Sequence, residues 1–251
     1  MIVLPILLGI WLIRKFKLSW RLFIAGGVTF IASQVLHIPL LFGLTALFKN
    51  ATLPSPPETW TTVFNAILLG LLAGAFEETA RFVLFKFFLK KARTCNEGVL
   101  VGAGHGGVEA ILIGVVAALT LVQMVVMRGA DLSALGIPAA QLQAVQQQVT
   151  AFWQTPAYLG FLGLTERIFA VCLHLCLSAM VLYSLSAHKP LWFWMALLWH
   201  ATVDAAAVFF AHSLGSVAVE GLVGAMAILS LAILFALRKR FPRAEQEIAS
   251  A

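Results

Sequence analysis

The sequence predicts an all-α integral membrane protein, a polytopic bundle of helices, and three observations support this fold class. Of the 251 residues, 61% are hydrophobic and 11% are charged, whereas a soluble domain carries about 25% charged residues. The apolar residues form long runs, and a membrane-crossing helix needs about 20 such residues. No polar linker divides the chain, so we predict a single integral membrane domain over residues 1–251.

Seven apolar runs predict about seven transmembrane helices. Their expected limits are 1–13, 20–47, 60–90, 98–127, 157–187, 190–212 and 216–237. The first run is the shortest. It is not predicted to be a cleavable signal peptide, because its basic residues follow the apolar run instead of preceding it.

The basic residues predict the orientation of these spans. Thirteen of the 17 lysines and arginines fall on one side of the membrane if the N-terminus is outside and the C-terminus is cytoplasmic. They follow spans 1, 3, 5 and 7: Arg14, Lys15, Lys17, Arg21, Lys86, Lys90, Lys91, Arg93, Lys189, Arg238, Lys239, Arg240 and Arg243. No basic stretch carries interleaved aromatic residues, so nucleic acid is not an expected partner. The expected surroundings are the lipid bilayer of a prokaryotic plasma membrane.

The long segment between spans 4 and 5, residues 131–156, is polar and rich in glutamine. Within it, Leu142, Val145, Val149 and Phe152 recur at helical spacing. This spacing predicts an amphipathic helix that lies on the outer face of the membrane.

Several ionisable residues lie inside the predicted spans, where one Asp, Lys or Arg at a helix centre costs roughly 2.5–3.5 kcal/mol. Spans 3 to 6 contain Glu77, Glu78, Arg81, His105, Glu109, Glu166, Arg167, His174, His200 and Asp204. Such residues usually face the interior of a bundle and mark a functional path.

The spacing of these residues is regular. Four pairs are three or four residues apart and therefore share a helical face: Glu77 and Arg81, Glu78 and Arg81, His105 and Glu109, His200 and Asp204. With a rise of 1.5 Å per residue, Glu77, His105 and His200 lie roughly 13, 10 and 15 Å from the cytoplasmic ends of their spans. Three separate motifs thus converge at one depth, in the cytoplasmic half.

Histidines and carboxylates at a common depth can bind a divalent metal, and zinc fits this set of donors best. Zinc would acidify a bound water, and a free glutamate would act as general base. Glutamate and histidine can also activate water without a metal. Both routes lead to peptide hydrolysis within the bilayer. The glycines at 102, 104, 106 and 107 would let a neighbouring helix or a substrate backbone approach His105 closely.

Five segments carry a resemblance to known proteins. They are SQVLHIP at 33–39, EETAR at 77–81, GHGGVEA at 104–110, ERIFAVCLH at 166–174 and HATVD at 200–204. In this order they resemble the YhfC family of intramembrane metalloproteases and, more distantly, the CAAX-processing and bacteriocin-processing proteases. The matches run from span 2 to span 6, so the resemblance covers most of the chain.

The resemblance implies a role for five residues. Glu77 would be the base that activates water, and Glu78 and Arg81 would support it. His105 would contact that water or a metal, and His200 would do the same or help to form an oxyanion site. The substrate would be a membrane-embedded or lipid-modified peptide.

One position departs from the CAAX-type pattern, which commonly has asparagine four residues after the last histidine. Here that position is Asp204, and a carboxylate cannot donate a hydrogen bond as an amide does. The departure favours a metal ligand or a partner that orients His200. The predicted metal ligands are therefore His105, Glu109, His200 and Asp204.

Other interpretations remain open at this point. The Glu77, Glu78 and Arg81 group can be a buried ion pair that locks helices together, and His105, Glu109, His200 and Asp204 can each be structural. Glu166, Arg167 and His174 are expected to be structural or to support the site rather than to be catalytic. Buried Glu, His and Arg chains also serve as proton relays, so a proton- or ion-coupled transporter is the alternative function. Transporters often have repeated halves, and the absence of such repeats favours the enzyme over this transporter. A third alternative is a protease-like fold that only binds partners.

Overall fold

The computed structural model describes residues 1–211 and 213–242, and its helical architecture confirms the predicted all-α fold class. Within these residues the chain forms eight α-helices and no strand. The helices are α1 (Val3–Phe16), α2 (Trp20–Lys49), α3 (Glu58–Val83), α4 (Cys95–Met127), α5 (Ala139–Gln154), α6 (Tyr158–Ser186), α7 (Leu191–Ala211) and α8 (Ser216–Arg238). A π-helical turn, Leu84–Phe88, extends α3.

Six of the described helices are long and apolar enough to cross a membrane: α2, α3 with its π-helical turn, α4, α6, α7 and α8. Their mean hydropathy lies between 1.4 and 2.6, so the chain is a multi-pass membrane protein. The first predicted span is different, because α1 has 14 residues and a crossing helix needs about 20. The predicted orientation of the termini remains a prediction.

The helices pack around α6. Helices α2, α4, α6 and α8 contact one another in that order, while α3 and α7 form the most extensive pair and lie against α2, α6 and α8. In α6, 67% of the most apolar window is buried, compared with 11% in α4 and 28% in α8. The second half of α6, residues 171–184, therefore faces other helices on nearly every side.

Glycines allow α4 to pack against its neighbours backbone to backbone. A Cβ atom on Gly104 would lie 1.9 Å from the carbonyl oxygen of Phe23 in α2, and one on Gly102 would lie 2.4 Å from the carbonyl oxygen of His174 in α6. Real Cβ atoms do not approach backbone oxygens so closely. These glycines therefore bring the helix that carries His105 into direct contact with α2 and α6, as the sequence indicates.

An apolar core fills one end of the bundle. It includes Phe85, Val101, Leu177 and Leu182, each with no exposed surface. These residues lie towards the α3–α4 and α6–α7 connections, where Lys90, Lys91, Arg93 and Lys189 are found. We call this end of the molecule the basic end.

Helix α4 begins earlier than predicted. The hydroxyl of Thr94 accepts a hydrogen bond from the backbone N–H of Glu97, and the Glu97 carboxylate accepts one from the backbone N–H of Thr94. This capping box starts the helix at Cys95 rather than at residue 98. Reciprocal bonds of this kind satisfy backbone donors that the first turn leaves free.

Candidate functional site

Helix α3 places two carboxylates and one guanidinium inside the bundle. The side chains of Glu78 and Arg81 are completely buried and in contact, and that of Glu77 is 8% exposed. Arg81 Nη2 lies 3.5 Å from Glu77 Oε2. Spacings of three and four residues bring all three to one helical face, so a single arginine contacts both carboxylates.

His105 of α4 meets Glu77 directly. Its Nε2 lies 3.0 Å from Glu77 Oε2, and its fully buried ring packs edge-on against Phe30 with centroids 5.2 Å apart. The other ring nitrogen, Nδ1, has no hydrogen-bond partner among the described residues. Helices α3 and α4 thus share the pair that the sequence places at the centre of the site.

His200 of α7 approaches both carboxylates. Its Nδ1 lies 2.7 Å from Glu78 Oε1, and its Nε2 lies 3.8 Å from Glu77 Oε2 and 3.5 Å from Asp204 Oδ2. Because an ionised carboxylate only accepts hydrogen bonds, Nδ1 carries the hydrogen that Glu78 accepts. In the neutral imidazole, Nε2 therefore keeps a lone pair that faces Glu77 and Asp204.

His174 of α6 lies at the centre of the cluster, a position that the sequence did not indicate. Its ring centroid is 5.2 Å from that of His105 and 5.5 Å from that of His200. Its Nδ1 lies 2.7 Å from Arg81 Nη2, and its Nε2 lies 2.5 Å from Glu109 Oε2. Since a guanidinium can only donate, Nδ1 accepts from Arg81 and Nε2–H donates to Glu109.

A second polar group continues from His174. Arg167 Nη1 donates to Glu109 Oε1 over 2.6 Å, and the same guanidinium contacts Glu166. Glu109, which the sequence predicts as a metal ligand, is therefore held by Arg167 and His174. Asp204, the other predicted carboxylate ligand, lies beside His200.

Gln34 of α2 is a further contact of Glu77, and sequence reasoning did not single it out. Its Nε2 lies 3.3 Å from Glu77 Oε1 and 3.2 Å from the hydroxyl oxygen of Ser33. Ser33 in turn lines an apolar groove of about 1030 Å³ between α2 and α3. The sequence signal was available, since both residues lie in the SQVLHIP segment.

The donor atoms of this cluster are compatible with a metal ion. Glu77, His105 and His174 are buried and each offers a ligand atom, and these atoms lie within 4.8 Å of one another. Two zinc ligands at bonds of about 2.0–2.1 Å in a tetrahedron are about 3.3 Å apart. The separations of His105 Nε2 and His200 Nε2 from Glu77 Oε2, 3.0 and 3.8 Å, lie on either side of that value.

The hydrogen bonds of His174 and His200 show which of the two has a ring nitrogen available to bind a metal. Both nitrogens of His174 are engaged, by Arg81 and by Glu109, so His174 can bind a metal only by giving up one of these bonds. His200 is already oriented by Glu78 through Nδ1, which is how carboxylates commonly orient metal-binding histidines. In its neutral form His200 therefore offers a lone pair at Nε2, although this nitrogen lies farther from Glu77 Oε2 than that of His105 does.

A small polar cavity adjoins the cluster. It has a volume of about 90 Å³. Its charged and histidine lining residues are Glu77, Glu109, Glu166, Arg167, His174, His200 and Asp204. Polar cavities of this size hold ordered water in proteins, so the carboxylate of Glu77 borders a space suited to water.

Comparison with known proteins gives a family match. The model of the family described as "YhfC intramembrane metalloprotease" matches residues 1–227. The "Uncharacterized membrane protein YhfC" of Bacillus subtilis (strain 168) is 32% identical over 240 residues, which cover 91% of this chain and 89% of that protein. No solved structure matches the chain significantly.

Proposed function

Since the chain belongs to the YhfC intramembrane metalloprotease family, we propose that it is an intramembrane endopeptidase of a prokaryotic plasma membrane. It would hydrolyse a membrane-embedded or lipid-modified peptide. The observation that carries the proposal is the bond between Glu77 and His105, inside a buried cluster to which α3, α4, α6 and α7 all contribute.

Glu77 is the proposed general base. Its Oε2 faces His105 and its side chain borders the polar cavity, so a water there can lose a proton to this carboxylate. The water oxygen attacks the carbonyl carbon of the scissile bond, and Glu77 then passes the proton to the departing amide nitrogen. General acid–base catalysis of this kind contributes about 10²–10⁴-fold to the rate.

The neighbouring residues orient the reacting groups. Glu78 and Arg81 fix each other, and Glu78 fixes His200 through its Nδ1. His105 would contact the water from its place beside Glu77. His200 lines the cavity and would contact the water there or, with Nε2 protonated, the oxygen that becomes negatively charged during attack. Preorganised donors at that oxygen are a large part of hydrolytic catalysis.

Zinc is the proposed metal. His105 and His200 would hold it beside the Glu77 carboxylate, which stays free to act as the base, and His174 would join if its bond to Glu109 opened. The sequence-predicted ligands Glu109 and Asp204 adjoin this set. Zinc bound there supplies Lewis acidity, which polarises a peptide carbonyl and acidifies water. Water activation by Glu77 and histidine alone uses the same residues.

The groove between α2 and α3 supports a membrane-embedded substrate. It is lined by apolar and small residues, among them Ala32, Leu36 and Phe76. Ser33 lies in its wall, and Gln34 links Ser33 to Glu77. A hydrophobic segment in this groove would lie one side chain away from the proposed base.

The transporter alternative is favoured by one observation. A continuous chain of hydrogen bonds connects Glu78, Arg81, His174, Glu109 and Arg167, and such chains carry protons in pumps. Purified protein in liposomes with an imposed pH gradient tests it. The protease proposal expects no proton flux above that of protein-free liposomes, and a flux that Glu109→Gln abolishes would favour the transporter.

The protease proposal is tested by the new peptide termini that the protein generates. Membranes from cells that express the wild-type chain or Glu77→Gln are compared by mass spectrometry of labelled N-termini. Glu58→Gln is the matched control, because it is an exposed glutamate on the same helix. We expect a set of termini in wild type and control that falls about 10²–10⁴-fold in Glu77→Gln. Equal termini in all three, at equal expression, would contradict the assignment.

A further inference from the structure

The buried cluster is closed towards the basic end. Phe85 follows Arg81 by one helical turn, and Val101 precedes His105 by one turn, both in the direction of the α3–α4 connection. Leu177 and Val181 follow His174 towards the α6–α7 connection. All four apolar residues have no exposed surface. These side chains form an apolar layer on α3, α4 and α6 between the cluster and the basic end.

In the opposite direction the side chains become steadily more exposed. Glu77 is 8% exposed, Glu109 19%, Asp204 38% and Glu166 43%. All four carboxylates line the 90 Å³ cavity. We call this cavity, with Glu109, Glu166 and Asp204 in its wall, the polar vestibule.

The vestibule lies towards the same end of the bundle on α4, α6 and α7. Glu109 follows His105 towards the C-terminal end of α4, and Asp204 follows His200 towards the C-terminal end of α7. Arg167 precedes His174 towards the N-terminal end of α6. Because neighbouring helices run in opposite directions, these ends coincide at the side of the molecule where α5 connects α4 to α6.

From this geometry we infer that the polar vestibule is the water entry of the site and opens at the α5 end, away from the basic end. The inference rests on the proposed hydrolytic function, which needs a supply of water inside the bilayer. Each molecule in liquid water takes up about 30 Å³, so the cavity has room for about three waters. The predicted orientation makes the α5 end the extracytoplasmic side.

Arg167 has a positioning role in this arrangement. It holds Glu109 from one side of the vestibule and contacts Glu166 at its mouth. The ion pairs keep the wall polar, and polar walls retain water where apolar cavities stay dry. Glu109 in turn accepts from His174, so the wall of the entry is bonded to the centre of the cluster.

Sided cysteine labelling tests the inference. Glu166→Cys and Ala207→Cys place thiols in the vestibule, and Val181→Cys is the matched control in the sealed core. Exposed Ala134→Cys and Lys189→Cys report the α5 end and the basic end. The probe is the silver ion, a membrane-impermeant thiol reagent of ionic size. It is applied to intact spheroplasts and, separately, to inverted vesicles.

The readout is the fraction of each thiol protected from later alkylation, measured on peptides so that the native cysteines are counted separately. We expect both vestibule thiols to react from the side that modifies Ala134→Cys, at least about tenfold faster than Val181→Cys, because thiol reactivity follows exposure. Reaction of the vestibule thiols only from the Lys189→Cys side would overturn the inference, and so would rates equal to the control.

The labelling does not depend on catalysis, so two failures can be told apart. A vestibule that reacts from the α5 end in a chain that produces no new peptide termini would leave the water entry intact and contradict the protease. A chain that cleaves while its vestibule thiols stay unreactive would overturn the water entry alone. Where Ala207→Cys does not fold, Glu166→Cys decides the outcome, since its side chain is already 43% exposed.

Discussion

Replacing Arg81 by methionine is the sharpest test of the buried cluster. The guanidinium and the Glu78 carboxylate are in contact and both have no exposed surface. Methionine keeps much of the volume of the side chain but removes the charge and all of its donors. Glu78 would then be a buried carboxylate without the guanidinium that compensates it.

The structure gives the size of the effect. Removing one partner of a buried ion pair costs about 3–5 kcal/mol, because the other charge stays buried without compensation. His174 Nδ1 also loses the donor that lies 2.7 Å away, and an unsatisfied buried acceptor costs about 1–3 kcal/mol. Arg81→Met should therefore lower the free energy of unfolding by about 4–8 kcal/mol.

A second substitution separates the charge from the other contacts. In the double variant Glu78→Gln with Arg81→Met, the uncompensated charge is gone and only the loss at His174 and the changed packing remain. The double variant should be at least about 2 kcal/mol more stable than Arg81→Met alone, since coupled residues depart from additivity by this order. Arg14→Met, an exposed arginine of α1, should change stability by less than about 0.5 kcal/mol.

The assay is reversible unfolding of purified protein in lipid bicelles under one condition. Five chains are compared: wild type, Glu78→Gln, Arg81→Met, the double variant and Arg14→Met. The reasoning is refuted if Arg81→Met alone stays within about 1 kcal/mol of wild type. It is also refuted if the loss of unfolding free energy in the double variant equals the sum of the losses in Glu78→Gln and in Arg81→Met. Either result would mean that water or lipid headgroups compensate Glu78.

Three further predictions concern the metal, the helix packing and the groove. Elemental mass spectrometry should find stoichiometric zinc in purified wild-type protein. The His105→Ala variant should stay folded but contain no zinc. Gly104→Ala should lower stability by about 3 kcal/mol, because its Cβ would lie 1.9 Å from a carbonyl oxygen of α2; Gly43→Ala, with nothing within 4 Å, should be neutral. For a substrate identified through its new termini, Ala32→Trp should raise KM several-fold at unchanged kcat by filling the groove, and lipid-facing Ile31→Trp should not.

The contacts of α3, α4 and α7 could be anticipated from the sequence. An ionised side chain in a bilayer needs a partner inside the bundle, and helical periodicity says which residues share a face. Glu77 with Arg81, and His200 with Asp204, therefore lie close to one another as their spacing indicates. The common depth of His105 and Glu77 follows from counting residues along two helices.

The central position of His174 could not be anticipated in this way. Its partners, Arg81 and Glu109, come from two other helices, and the rotation of α6 against them is set by packing. Hydropathy gives no signal, because the most apolar segment of α6 has a mean hydropathy of 2.2 and is 67% buried, while that of α4 has 2.6 and is 11% buried. In a membrane protein, lipid-facing and protein-facing apolar residues look alike in sequence.

The start of α4 was predicted too late, although the sequence contains the signal for it. Thr94 and Glu97 stand three residues apart before an apolar run, which is the pattern of a capping box. Reading the apolar run alone placed the start at residue 98. Polar residues at the end of a span therefore belong to the helix when they satisfy its first turn.

The charge balance of the cluster gives a physical reason to expect a cation in it. The buried carboxylates Glu77 and Glu78 and the half-buried Glu109 face only two guanidinium groups in the described network, those of Arg81 and Arg167. Burying an unpaired charge is costly, so a positive charge is needed on the histidines or between them. A proton and a divalent metal compete for the same imidazole lone pair. The excess of negative charge can therefore be balanced by a proton on a histidine or by a zinc ion at the same nitrogen.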